Sequence, residues 1–170
     1  MIKDIKIPAQ DKVCFKSKYQ SRVFDHWQEI RGAHNIPKSQ DFRPQNFGRH
    51  VTQIALVIYD NCEGSFSDRL IGSKVSQTLH INKAGDSLSN ACDKKINDTM
   101  RSLLGQSRTK AIPLYFEGTM LPDEYLPIGF TALALPFSDN TTALIDDEDL
   151  MADTVLLAFE FDKNTSVSID

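Results

Sequence analysis

Two segments near the C-terminal end of the chain are apolar on both of the faces that a β-strand presents. Residues 128–137 are apolar almost throughout. In residues 155–161, Phe159 and Phe161 share one face, while Leu156 adds an apolar side chain to the other. A sheet that is apolar on both faces needs cover on both faces. The two segments therefore predict strands of a sheet that lies between two further layers.

A helical pattern early in the chain supplies one candidate for such a layer. Residues 19–30 place Trp27 and the other large apolar side chains on a single helix face. Either Ser17 or Ser21 could cap its start, and Gly32 is suited to end it. We expect this helix to cover the outer face of the sheet, either in the same protomer or across a homodimer that it forms.

The remaining elements follow from local periodicity and turn residues. They are a hairpin of strands at 53–59 and 66–71, a short helix at 73–79, a longer helix that includes Met100 and that Gly105 would end, and a strand at 108–117. Hairpin-connected strands on either side of a helical insertion predict an α+β domain, with an antiparallel sheet and helices segregated to one face.

Length, charge and cysteine usage limit the class of protein. A chain of 170 residues favours one domain, which we divide into an N-terminal lead-in at 1–18, a domain at 19–163 and a C-terminal tail at 164–170. The net charge of −4 leaves no basic footprint for nucleic acid. No apolar run is long enough for a membrane span, the N-terminus lacks an export signal, and three widely spaced cysteines suit a reducing compartment. We therefore expect a cytoplasmic protein that binds neither nucleic acid nor membrane.

Several short motifs are informative as an ordered set. They are Trp27 and Arg31 on the first helix, Pro37, Asp41 and Pro44 in the loop after it, Arg69 and Gly72 at the end of the hairpin, and Leu135-Pro136-Phe137 on a later strand. In their order and spacing, over residues 20–162, these motifs make the chain resemble a family of short stand-alone bacterial PAS proteins.

The resemblance implies both a fold and a class of function. The fold is a PAS-like five-stranded antiparallel sheet with helices on one face and an N-terminal covering helix, often built around a small pocket. The class is a sensory or signalling domain that binds a small ligand or a protein partner and has no catalysis of its own. We expect its output to pass by association to an unidentified downstream signalling protein.

Ten apolar residues are candidates for the wall of a ligand pocket. They lie on the predicted inner sheet face and on the two middle helices: Ile54, Leu56, Leu70, Val75, Leu79, Met100, Leu104, Leu133, Leu135 and Phe159. Together they would enclose a small apolar cavity. The same residues could instead fill a core at normal density, in which case the protein would be a ligandless homodimeric interaction module.

The residues of the first motif admit a structural and a functional hypothesis. In the structural hypothesis, Trp27 packs against the sheet, and Arg31 reaches either Asp41 or the carbonyls of the proline-containing loop. In the functional hypothesis, Arg31 or Arg69 binds an anionic ligand. We favour the structural hypothesis and expect Arg31→Ala to lower the melting temperature.

Residues that could hold a cofactor form no consistent pattern. His80 follows a short helix, where some PAS domains carry a haem ligand, but no pair of histidines has the spacing of a helical metal site. Cys62 lacks the Arg-Phe that follows the reactive cysteine of flavin-binding light sensors. The acidic run at 146–149 lacks the alternate spacing of a calcium loop. The sequence therefore leaves the cofactor unknown, with haem at His80 and flavin at Cys62 both disfavoured.

A weaker alternative is a small α+β enzyme that uses a buried carboxylate. Asp60 and Asp68, close to the predicted hairpin turn, are the candidates. The chain has no glycine-rich phosphate loop and no nucleophile motif of recognisable spacing. We therefore expect a protein that is not an enzyme.

Overall fold

The computed structural model describes residues 1–8, 10–81, 87–121, 126–139 and 151–163, and the tail predicted at 164–170 lies outside them. The strands in these residues are β1 (Ile2–Lys6), β2 (Ile54–Asp60), β3 (Ser65–Ile71), β4 (Leu114–Met120), β5 (Ile128–Phe137) and β6 (Thr154–Phe161). The α-helices are α1 (Lys18–Arg31), α2 (Ser73–Thr78) and α3 (Lys94–Lys110). Three 3-10 segments span Ser39–Asp41, Pro44–Gln53 and Leu88–Asn90.

The predicted α+β class with an antiparallel sheet is confirmed. The described strands form one sheet in the order β1-β4-β5-β6-β2-β3, and every neighbouring pair is antiparallel. The sheet has one strand more than the five expected, because part of the lead-in, β1, pairs with β4.

A Cβ at Gly118 of β4 would lie 2.7 Å from the carbonyl oxygen of Met1. The close approach of this edge strand therefore requires glycine at that position.

The sheet lies between two apolar layers, as its two-sided strands predicted. On the inner face, Phe159 and Phe161 of β6 pack with side chains of α2 and α3. On the outer face, Leu156 packs with Trp27 of α1 and with the segment that follows this helix. Of the two alternatives for the outer cover, the structure shows α1 on the sheet of its own chain.

Buried polar groups seat α1 on the sheet. The helix begins after Ser17, whose hydroxyl accepts the N–H of Gln20 at 3.3 Å, and it ends at Gly32. Gln20 is fully buried, and its side-chain amide donates to the carbonyls of Thr131 at 3.3 Å and Ala158 at 2.9 Å. The hydroxyl of Thr131 donates back to Gln20 Oε1 at 3.1 Å. Because buried polar atoms are costly unless paired, this network favours one position of the helix over others.

The helix α3 continues past the residue at which the sequence predicted its end. Gly105 lies inside it, and the helix ends only at Ala111, which has a left-handed backbone with φ 52°. The predicted strand start at 108 is therefore wrong, and β4 begins at Leu114. Leu104 and Ser107 are buried on either side of the glycine. Since a glycine within a helix costs only about 1 kcal/mol, packing on both sides overrides the local stop signal.

Candidate functional site

The first and last motifs meet on the outer face of the sheet. Trp27 is 2% exposed, and its indole N–H donates to the carbonyl of Pro136 at 2.9 Å. The backbone N–H of Ser138 donates to the carbonyl of Pro37 at 3.0 Å. Residues 109 positions apart in the sequence therefore hold α1 and the loop after it against the end of β5.

Arg31 lies over Trp27 and reaches the loop after α1. Its guanidinium carbon is 5.5 Å from the centroid of the Trp27 ring. Its Nη1 donates to the carbonyl of His34 at 3.2 Å. Of the two kinds of partner expected for Arg31, a loop carbonyl is the one observed. These contacts support the structural hypothesis for this motif.

A groove on the outer face, which we call the outer groove, brings together Pro44, Arg69 and Leu70. Its volume is about 480 Å³. Arg69 Nη1 lies 3.9 Å from Asp139 Oδ2, and both side chains are about half exposed. The hydroxyl of Ser39 also donates to Asp139. An anionic ligand at Arg69 would have to compete with this carboxylate, which counts against the functional hypothesis for that residue.

The other motif residues lie in the backbone turns of the fold. Gly72 precedes α2, and a Cβ there would lie 2.3 Å from the carbonyl oxygen of Thr52. Such an approach is open only to glycine. Asp41 is exposed at the end of the 3-10 segment Ser39–Asp41.

The ten residues predicted to line one pocket lie on both faces of the sheet. The inner layer contains Val75, Leu79, Met100, Leu104 and Phe159. The outer layer, under α1, contains or contacts Ile54, Leu56, Leu133 and Leu135. Leu70 is 50% exposed and lines the outer groove. The ten residues therefore do not form a single wall.

The ten residues divide between the two faces because residues of β2 and β5 point to the face opposite to the predicted one. Beside the four residues that the prediction assigned to the wrong face, the side chains that point inward are Ala55 and Val57 in β2, and Ala132 and Ala134 in β5. Because β5 and the start of β2 are apolar on both sides, no polar face indicates which side chains point inward. The larger neighbours Ile54, Leu56, Leu133 and Leu135, which the sequence pattern assigns to the inner face, lie under α1 in the structure.

A pocket on the inner side lies between the β2–β3 hairpin and α3, and we call it the inner pocket. Its volume is about 530 Å³. The hairpin contributes Val57, Tyr59, Phe66 and Asp68, and α3 contributes Met100, Arg101, Leu104 and Gly105. Met100 and Leu104 are the residues of the predicted wall that line it. The hairpin residues that line the observed pocket cannot be identified from the sequence, because the pairing of β2 with β3 decides which hairpin side chains face α3.

Asp68 places a carboxylate in the wall of the inner pocket. Its Oδ2 accepts the backbone N–H of Leu88 at 2.8 Å. Within the described residues, Oδ1 has no hydrogen-bond partner. Burial raises the pKa of Asp68, and the hydrogen bond from Leu88 opposes that rise. The sequence identified this residue only as a candidate acid of an enzyme, and its position beside a pocket was not predicted.

Tyr59 and Phe66 form an aromatic side of the inner pocket. They are directly opposite in the β2–β3 ladder, with ring centroids 5.1 Å apart and an interplanar angle of 70°. The guanidinium carbon of Arg108, in the last turn of α3, lies 3.7 Å from the centroid of Tyr59. Arg108 Nη2 also donates to Asn61 Oδ1 at 3.1 Å. Arg108 therefore joins the end of α3 to the hairpin.

Gly105 borders the inner pocket from within α3. A Cβ built at this position meets no atom of the described residues within 4 Å. Glycine in the interior of a helix is less stable than alanine by about 1 kcal/mol. No packing contact at this position requires glycine, and the missing side chain leaves the pocket wider.

The other candidate residues do not line the inner pocket. His80 is exposed just after α2 and has φ 55°. Cys62 is exposed in the hairpin turn, where its N–H donates to Asp60 Oδ1 at 2.7 Å, so the Asp60 carboxylate serves as a turn cap. The acidic run at 146–149 lies outside the described residues. Among the residues that are described, no group of His, Cys, Asp or Glu side chains is arranged to hold a metal ion.

The fold and the inner pocket define the class as a small α+β domain, in which helices cover an antiparallel sheet and a pocket lies between the β2–β3 hairpin and α3. The family model described as PAS domain matches residues 15–145, and the chain belongs to this family. No significant match to a curated protein or to a solved structure was found.

Membership of this family confirms the resemblance to PAS domains that is seen in the motifs. PAS domains are in general sensory or signalling modules without catalysis, and the membership therefore suggests the same class for this chain. Within the described ranges, no helix combines the length and the apolar character needed to cross a membrane.

Proposed function

We propose that this domain senses a small molecule in the inner pocket and transmits the occupancy of the pocket to a protein partner. The family supports a sensory role. A volume of about 530 Å³ is in the range of pockets that hold small ligands. The wall is largely apolar, with Asp68 and Arg101 as its charged residues among those described. Such a composition provides both burial and orientation for a ligand.

Gly105 is the observation that carries this proposal. An alanine would fit the space at this position and would stabilise α3 by about 1 kcal/mol. A chain whose inner layer served only as a packed core would gain by filling this space. The glycine keeps it open at the place where α3 faces the aromatic residues of the hairpin.

Arg108 is the proposed route from the pocket to the surface. A ligand between the hairpin and α3 changes their separation, and therefore the contact between Tyr59 and Arg108. The carbonyl of Arg108 accepts the N–H of Ala152 at 3.0 Å, and its Nη1 lies 3.5 Å from the sulfur of Met151. Met151 is 50% exposed. The surface around Met151 is thus the place where a partner would detect the change.

The partner is proposed to be a downstream signalling protein or a second copy of this chain. The apolar face of α1 is occupied by the sheet of its own chain, with Val23 and Trp27 buried there. A homodimer would therefore need a different surface from the one expected in the sequence analysis.

Native mass spectrometry of the purified chain, incubated with a small-molecule extract of the expressing cells, tests the proposal. We expect a bound mass on the wild-type chain that Gly105→Leu loses, because leucine fills the pocket. Gln106→Leu is the matched control, since Gln106 is the exposed neighbour of Gly105 on α3. Circular dichroism and thermal unfolding should show that both variants fold. An empty wild-type chain, or equal binding by Gly105→Leu, contradicts the proposal.

A further inference from the structure

We infer that the inner pocket recognises a protonated amine carried on an apolar body, and this inference rests on the function proposed above. The chemistry of three neighbouring side chains leads to it. Asp68 supplies a carboxylate, and Tyr59 and Phe66 supply aromatic rings on the same side of the hairpin.

The carboxylate of Asp68 is half-buried and keeps one oxygen open to a ligand in the described structure. One oxygen accepts from Leu88, and the other has no partner among the described residues. A carboxylate that is partly removed from water is stabilised most by a cation that also donates hydrogen bonds. The raised pKa of Asp68 agrees with this, since it shows that burial disfavours the charged form when no cation is present.

The aromatic rings favour the same kind of ligand. Phe66 and Asp68 are two residues apart on β3, so their side chains lie on one face of the strand. Aromatic faces attract organic cations, and they also pack against apolar groups. Arg108 over the ring of Tyr59 shows that this ring already accepts a cation on one face. An ammonium group at Asp68 would leave its apolar body against Phe66, Met100 and Leu104.

Arg101 is the positively charged residue of the described wall, and its placement limits its effect. Its side chain is 54% exposed, and its Nη1 lies 3.5 Å from Asp98 Oδ1 on the same helix. The charge of Arg101 therefore lies at the solvent side of the pocket, paired and screened. Asp68 is less exposed than Arg101 and has an oxygen available. We therefore expect Asp68, and not Arg101, to determine which ligand charge the pocket prefers.

Binding of three probes of similar size to the full chain tests the inference by calorimetry at neutral pH. The probes are 2-phenylethylamine, the neutral 2-phenylethanol and the anionic 3-phenylpropionate. We expect the amine to bind most tightly, and Asp68→Asn to weaken it by about ten- to hundredfold, the range for a hydrogen bond to a charged group. Asp25→Asn, the same substitution at an exposed position of α1 outside the pocket wall, is the matched control and should leave the affinity for the amine unchanged.

The inference is overturned if the alcohol or the carboxylate binds as tightly as the amine, if Asp68→Asn binds the amine like the wild-type chain, or if no probe binds. Gly105→Leu separates this failure from a failure of the proposed function. A neutral or anionic probe that binds the wild-type chain but not Gly105→Leu leaves the pocket as the ligand site and removes only the amine preference. The same holds if no probe binds but a mass from the cell extract is lost in Gly105→Leu.

Discussion

The indole N–H of Trp27 on α1 donates to the carbonyl of Pro136 on β5 at 2.9 Å, and the bond is buried. The pairing of β5 with β4 ends at Ala134, opposite Leu114. Pro136 thus lies beyond the last residue that β4 reaches, and a side chain of the covering helix supplies its hydrogen-bond donor. This relationship connects the first and last sequence motifs through one bond.

Trp27→Phe should destabilise the fold although it keeps an aromatic ring on the outer face. The substitution leaves the buried carbonyl of Pro136 without its donor, which costs about 1–3 kcal/mol. Urea unfolding should show a lower midpoint with an unchanged slope. An unchanged midpoint would mean that this bond contributes nothing to stability.

Arg31→Ala should lower the melting temperature without affecting ligand binding. The substitution removes the contact with the Trp27 ring and the bond to the carbonyl of His34. Together these contribute about 1–2 kcal/mol at a partly exposed site. A shift of about 2–8 °C is expected for a domain of this size. Arg31→Lys is the control, because it keeps the charge but loses the planar group. Unchanged stability with abolished binding would support the functional hypothesis instead.

Gly105→Ala should stabilise the chain by about 1 kcal/mol, because alanine is the better helix former and its Cβ meets open space. Thermal unfolding of the ligand-free protein measures this difference. A loss of stability would show that the space beside Gly105 is smaller than the structure indicates.

Asp68→Asn should remove a loss of folding stability that the wild-type chain undergoes as the pH rises. Burial raises the pKa of Asp68 above its unfolded value, which is about 4. The folded state therefore binds this proton more tightly, and stability falls as the pH rises through the unfolded and then the folded pKa. Asparagine carries no such charge and can still accept the N–H of Leu88.

Urea unfolding from acid to neutral pH measures this effect. The unfolding free energy of Asp68→Asn relative to the wild-type chain should rise with pH and level off above the folded pKa of Asp68. A difference that is constant with pH, or that falls, would show that the carboxylate is not desolvated in the folded state.

A homodimer remains a prediction for this chain, now without α1 as its apolar interface. Static light scattering at micromolar and higher concentrations measures the oligomeric state. We expect the mass of two chains, and Glu29→Lys on the exposed side of α1 should leave it unchanged. A monomer at every concentration would remove the dimer and leave a different protein as the partner.

Elements that are specified by local signals form where the sequence predicts them, and elements that depend on distant contacts do not. The ends of α1 agree with Ser17, one of the two cap candidates, and with the stop at Gly32, because these signals act within one turn of the helix. The bounds of β5 also agree, since a long apolar run between turn residues has few alternatives. The predicted helix end at Gly105 is wrong, because the sequence does not show the packing that stabilises α3 beyond this glycine.

By itself the sequence determined the α+β class, the two-sided sheet and the family, since each depends on periodicity and on motifs read along the chain. The tertiary structure alone decided which sides of β2 and β5 face inward, and it brought Tyr59, Asp68 and Gly105 together around one pocket. The physical reason is that strand pairing and helix placement join residues far apart in sequence. When a strand is apolar on both faces, its sequence does not indicate which face the inner helices will cover.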